Sequence, residues 1–150
     1  MLAVGALMSG DVAAAEAERA RMTPEARNTP GGRLLEGTLL AARMDLPGAR
    51  ATFEALLRDR PDFQQARIAL ARIAYAEGKA EEAERLLGEV LTGDPDNSDA
   101  MQQLAGAALS RGPRAAAARQ VLLTAQAAAP DNAALAAITA RVLILSGEAA

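Results

Sequence analysis

The sequence predicts an all-α fold, a solenoid of antiparallel helix pairs. Three observations predict it. Apolar residues recur three and four apart through most of the 150 residues. Helix-breaking turns divide the apolar stretches at regular places. The whole pattern then repeats at a step of 34 residues. No long β-branched, alternating run competes with this reading, so no strand is expected.

The pattern is clearest from Gln64 to Asn97. A first amphipathic helix over Gln64 to Ala76 carries Ile68, Leu70, Ala71, Ile73 and Ala74. Glu77-Gly78-Lys79 breaks it, because glycine accepts the left-handed conformation that ends a helix. A second helix over Ala80 to Leu91 carries a stripe of Ala83, Leu86, Leu87, Val90 and Leu91. Gly93-Asp94-Pro95 stops it, since proline cannot continue a helix and restricts the residue before it. A hairpin this small cannot bury both apolar faces alone and needs copies of itself.

The copies keep register. The small residue of the first helix falls at Ala3, Gly37, Ala71 and Ala105, each 34 residues apart. The turn falls at Gly10, Met44, Gly78 and Gly112, and a small residue of the second helix at Ala15, Ala49, Ala83 and Ala117. Closing prolines stand at Pro61, Pro95 and Pro130, the last step being 35. One extra residue is therefore expected near Pro113 or in the run Ala115–Ala118. The chain divides into one array over 1–150, with copies at 1–29 (partial), 30–63, 64–97, 98–132 and 133–150 (partial).

With those positions in place, the chain resembles the tetratricopeptide repeat (TPR) family from end to end. The family's large, Leu, small and aromatic places along the first helix, and its Ala, aromatic and Pro along the second, fall on these residues. They are Arg67, Leu70, Ala71, Ala74, Ala83, Leu87 and Pro95 in the central copy. In the copy before it they are Arg33, Glu36, Gly37, Leu40, Ala49, Phe53 and Pro61. In the copy after it they are Met101, Leu104, Ala105, Ala108, Ala118, Leu122 and Pro130. The departures are aliphatic residues at aromatic places, Glu36 where Leu is usual and Met44 in place of the turn glycine. The resemblance implies a right-handed α-solenoid, a TPR superhelix, whose concave groove binds a partner. The Ala-, Arg- and Leu-rich wording is also similar to bacterial TPR proteins of exopolysaccharide export, the PEP-CTERM/exosortase-system lipoprotein and cellulose-secretion subunits. That resemblance implies a periplasmic location; without it a cytoplasmic one is as open.

In chain order, Met1 to Ser9 reads as a partial first helix rather than a signal peptide, because it lacks a basic leading region. Asp11 can cap a second helix running to about Met22. Thr23-Pro24 ends it, and Arg27 to Gly32 reads as an inter-repeat loop that keeps the repeat phase. Asp and Asn after each closing proline are expected to cap the following helix. The last helix, rich in Val142, Leu143, Ile144 and Leu145, stops at Gly147-Glu148-Ala149-Ala150. Both terminal helices lack a polar capping face. The expectation is a segment of a longer array, or self-association through the uncapped ends.

Composition narrows the chemistry. Hydrophobic residues make up 51% but aromatics only 2%, so the core is Ala and Leu. Without cysteine or histidine, disulfides, thiol nucleophiles, zinc fingers and imidazole acid–base catalysis are excluded. A net charge of −3 and a pI near 5.0 argue against nucleic acid. No apolar run reaches the roughly 18 residues of a membrane span. Glu81, Glu82 and Glu84, and Asp94 with Asp96, read as solvated faces and caps rather than catalytic pairs, which must converge in a cleft. Asp94 to Asp99 lacks the glycine and distant glutamate of a calcium loop. Gly31-Gly32 lacks the strand and the lysine of a phosphate loop. No enzyme activity, metal or cofactor is expected.

What remains is a partner-binding surface. Carrying the family's groove onto this chain gives Thr38 and Ala41, then Ile68, Arg72 and Tyr75, then Gln102, Gly106 and Leu109, then Arg141 and Ile144. Arg72 and Tyr75 stand one turn apart and are types enriched at interface hot spots. The competing reading packs Tyr75 between helices and leaves Arg72 solvated. The clamp for acidic chaperone tails is not expected, because Gln102, Gln103 and Asp99 stand where it needs Lys and Asn. The function expected is a non-catalytic scaffold binding a protein or peptide segment in the groove. The alternative is a structural spacer with nothing in the groove.

Overall fold

The structure, a computed structural model, describes residues 12–110, 112 and 114–147. The expected helix over Met1 to Ser9, the turn at Gly10, the cap at Asp11, and Pro113 and Glu148–Ala150 lie outside the described residues. Nine helices occur among the described residues and no strand. They are α1 (Val12–Arg21), α2 (Pro24–Arg27), α3 (Pro30–Ala42), α4 (Leu46–Asp59), α5 (Gln64–Ala76), α6 (Ala80–Gly93), α7 (Ser98–Ala108), α8 (Arg114–Ala128) and α9 (Ala133–Ser146). The chain is all-α.

Local chemistry sets the helix starts. Asn97 Oδ1 accepts from the Ala100 N–H at 3.1 Å, and Asn132 Oδ1 from the Leu135 N–H at 2.8 Å. Asp45 accepts from the Gly48 N–H at 3.0 Å. Each such cap is worth about 1 kcal/mol. After Pro95 and Pro130 the capping residue is therefore the asparagine two places on. After Pro61 the acid does something else: Asp62 pairs with Arg60 at 3.2 Å.

Two expectations change between Thr23 and Gly32. Pro24 does not merely end α1 but opens α2, with Thr23 Oγ1 accepting from the Ala26 N–H at 3.2 Å. The stretch expected to be a loop already contains the first turn of α3. Pro30 sits at its start, where the missing N–H costs nothing, and Thr29 Oγ1 accepts from the Gly32 N–H at 3.2 Å. Gly32 is buried beneath α2. A Cβ there would overlap the carbonyl oxygens of Ala26 and Arg27, so only glycine lets the two elements meet. Composition suggested a linker; position-specific capping made a helix.

The chain forms two compact units, Met1–Ile73 and Ala74–Ala150, dividing within α5. In the first, α1 packs on α3 and α3 on α4. Ala15, Leu35 and Leu39 form a buried cluster, with Val12 and Met22 against it. Gly37 faces the Phe53 ring, and a Cβ on Gly37 would come within 2.6 Å of it. Glu36, the acid at the family's leucine place, is half-exposed and pairs with Arg19 of α1. Arg43 of the α3–α4 turn pairs with Glu16 at 2.7 Å. Pairs this exposed contribute at most about 1 kcal/mol. They answer the charge at Glu36 more than they hold the fold.

In the second unit α6 packs on α7 and α8, while α7 and α8 pack on each other and on α9. Leu87, Val90 and Leu91 of α6, Leu104 of α7, Leu122 of α8, and Leu135 and Val142 of α9 are essentially fully buried. Ala118 is fully buried and Ala117 is exposed, so the extra residue of this copy falls before Ala118. Asn132 Nδ2 donates to the Pro95 carbonyl at 3.0 Å and to Asp96 Oδ1 at 2.8 Å, joining successive inter-repeat loops.

Met44 is in the left-handed region, at φ 64, with a side chain 75% exposed. Gly78 and Gly147 hold the same kind of turn, each at φ 77. A side chain in that conformation costs about 1–2 kcal/mol, and the exposed thioether recovers little by packing. Met44→Gly is expected to stabilise the chain by roughly 0.5–1 kcal/mol after the added unfolded-state entropy of glycine. A higher urea midpoint at unchanged slope would show it.

Candidate functional site

The expected groove residues meet different fates. Ile68 is 5% exposed and belongs to the core. Thr38 Oγ1 donates to the Leu34 carbonyl at 2.7 Å, so its hydrogen is committed within its own helix. Arg72, Gln102 and Arg141 are exposed, and Leu109 is 41% exposed. Tyr75 is half-buried in the last turn of α5, and its hydroxyl oxygen is shut off from solvent with no hydrogen-bond partner.

Tyr75 is the centre of a built site in the second unit. A depression of about 240 Å³ is walled by Tyr75, Gln103, Gly106, Ala107, Ser110 and Arg114. Gln103 Nε2 is likewise buried without a partner. The Arg114 guanidinium stands 6.0 Å from the centroid of the Tyr75 ring, the outer limit of a cation–π contact. Ser110 Oγ donates to the Ala107 carbonyl at 2.6 Å, which leaves its lone pairs facing outward for an incoming donor. Gly106 has open space where a Cβ would be, so a ligand backbone can approach α7 closely there. Arg119 Nη1 donates to the Ala108 carbonyl at 3.0 Å and fastens α8 to the end of α7.

The structure thus brings Tyr75 and Gly106 together, and adds Gln103, Ser110 and Arg114. Sequence reasoning chose Gln102 instead of its neighbour. One residue along a helix turns the side chain by about 100°, so that choice faced solvent. Arg114 opens a second helix, outside the first-helix surface the family pattern points to. The one available signal was the 35-residue step between Pro95 and Pro130, which sets this copy apart from the others.

The Glu84 carboxylate of α6 disfavours ionisation of Tyr75. Burial first, and the Glu84 carboxylate second, push the Tyr75 phenol up to about 12, against an opposing pull from Arg114. Glu84 is 4% exposed, with Oε1 lacking a partner. Burial, then Glu81, raise its carboxyl above the usual range, and Arg114 again opposes. The walls of the depression therefore include a firmly protonated phenol, an amide and a cation, the first two with their polar atoms turned away from solvent. Those groups suit a hydrogen-bond acceptor such as a carbonyl or carboxylate. Among the described residues, no three acidic side chains gather as a metal site, and no helix is long and apolar enough to cross a membrane.

Tyr75 is the only tyrosine, and no tryptophan masks it. Its ultraviolet titration is expected to centre near 12 rather than the ordinary 10. In the unfolded chain it ionises near 10, so stability should fall as pH climbs through that interval. Glu84→Gln should bring the phenol's midpoint down. It should also raise the urea midpoint at neutral pH, because a raised carboxyl pKa destabilises the folded chain once pH exceeds the ordinary carboxylate range. A titration near 10 in the native chain would refute this.

Two family models, both described as tetratricopeptide repeat, match residues 34–98 and 74–142, and together they span 34–142. Among curated proteins and among solved structures, nothing matches the chain. Repeats of this kind are protein–protein interaction scaffolds and are typically non-catalytic. The phase of the helices, the small residues buried where they cross and the two matches have one explanation: the chain belongs to the tetratricopeptide repeat family.

Proposed function

We propose that this chain is a non-catalytic scaffold that captures a segment of a protein partner at the Tyr75 depression. The observation that carries the reading is the pair of buried, unpartnered polar atoms, Tyr75 Oη and Gln103 Nε2, on the wall of one open depression. A buried polar group left unpaired costs about 1–3 kcal/mol. A partner carbonyl or carboxylate seated beside Arg114 recovers that cost when the Tyr75 and Gln103 side chains turn toward the opening to meet it. Exposed Gln102 and Arg141, in the same unit, then serve as adaptable outer contacts of the same partner. A role in bacterial exopolysaccharide export, in the periplasm, remains the pathway suggested by the wording of the repeats.

A photo-crosslinking residue placed at Gln102 tests the reading, with captured proteins identified by mass spectrometry. We expect a partner captured by the otherwise native chain and by Arg58→Ala, and lost in Tyr75→Ala and Arg114→Ala. Identical capture profiles across all four would return the chain to a spacer role.

A further inference from the structure

A second concavity lies in the same unit, between α6 and α8. It is a furrow of about 570 Å³ walled by Glu81, Glu84, Gly88 and Leu91 on one side and by Ala117, Val121 and Ala125 on the other. Its floor narrows where the helices approach: a Cβ on Gly88 would stand 3.2 Å from Val121 Cγ1. From Glu81 to Pro95 it follows α6 for about 20 Å at the helical rise. That length accommodates one face of a helix of about four turns.

The furrow is apolar along its length and acidic at one end. Glu81 and Glu84 share that end, one turn apart on α6. Arg85, on the same wall, is paired with Glu89. Glu84 is more than nine-tenths buried, and its Oε1 has no partner. An ionisable acid in an Ala and Leu wall, where an apolar residue would pack freely, calls for a cation or a donor to complete it.

We propose that this furrow docks a helical segment of a partner protein through a lysine, whose aliphatic stem lies along Gly88 and Val121 and whose ammonium meets Glu84. Small residues on both walls leave room for a flexible four-carbon stem, and the narrow floor favours a compact ammonium over a broad guanidinium. Alternating apolar contacts one turn apart supply the remaining recognition. The furrow shares no wall residue with the Tyr75 depression, although the charges of Glu84 and Arg114 act on each other and on the Tyr75 phenol.

The test uses the full chain and capped Ala/Leu helical peptides of about 15 residues carrying one central lysine. Controls carry norleucine or glutamate at that place, and n-hexylammonium serves as a free amine. Binding is followed by amide chemical shifts at Gly88, Val121 and Ala125. We expect the lysine peptide to bind at least about tenfold more tightly than the norleucine peptide, and to lose about that factor in Glu84→Gln. Glu84→Gln should fold at least as well as the native chain, so lost binding is not lost structure. Equal binding of the norleucine peptide would overturn the proposal in favour of plain apolar docking. Binding of hexylammonium without the peptide would overturn it in favour of a small-amine site. A dimer dissociated by furrow substitutions would assign the surface to a second copy instead, and no shifts at these amides would remove it altogether.

Discussion

Packing in this chain depends on one constraint: the places where the repeat register puts a small residue are buried. Ala15, Ala49, Ala71, Ala83, Ala105 and Ala118 are all 5% exposed or less. Gly37 takes that place in α3 and receives the Phe53 ring. With aromatics so scarce, packing density comes from close backbone approach rather than from large rings. Leucines then fill the space beside each crossing, burying about 1.5–3 kcal/mol each. Lengthening any of these small residues separates a helix pair and so weakens every leucine packed beside it.

The same constraint explains where concavities form. Side chains too short to fill the space between α6 and α8 leave a furrow over Gly88, Ala117 and Ala125. The extra residue of the last full copy falls before Ala118. In that copy Arg114 stands 6.0 Å from the centroid of the Tyr75 ring and Arg119 ties α8 to the Ala108 carbonyl. The one irregular copy of the array is thus the one whose second helix helps to wall the Tyr75 depression. Regular copies make the scaffold, and the exception distinguishes one face of it.

Much of the fold was legible because periodicity, glycine and proline report backbone requirements directly. Gly78 and Met44 adopt the left-handed turn that register demanded of them. Ala118 rather than Ala117 is buried, as the 35-residue step between closing prolines implies. The failures were at places where composition and side-chain chemistry disagree. Arg27 to Gly32 has a linker's composition, but Thr29 and Pro30 are a cap and a first-turn residue, and Gly32 is a packing requirement. Of the residues that wall the Tyr75 depression, the sequence named Tyr75 and Gly106 as groove residues. Gln103 depends on the rotation of a single residue and Arg114 on a second helix, which a register read along the first helices does not resolve.

Buried polar atoms separate packing from function here only when their surroundings are considered. Threonines on exposed or half-buried helix faces settle their hydroxyls internally: Thr52 donates to Gly48 at 2.9 Å, Thr92 to Gly88 at 2.9 Å, and Thr124 to Gln120 at 2.8 Å. Thr139 is fully buried and its hydroxyl has no partner, yet it borders neither concavity. It is a local cost with no ligand implied. Tyr75, Gln103 and Glu84 differ because each walls an open space. In a domain whose net stability is of order 5–15 kcal/mol, three unpaired groups at about 1–3 kcal/mol each are a large concession to tolerate in a core that alanine and leucine could fill. All three lie in the second unit, around Arg114, so the cost of unpaired groups bordering open space is concentrated on that side of the chain.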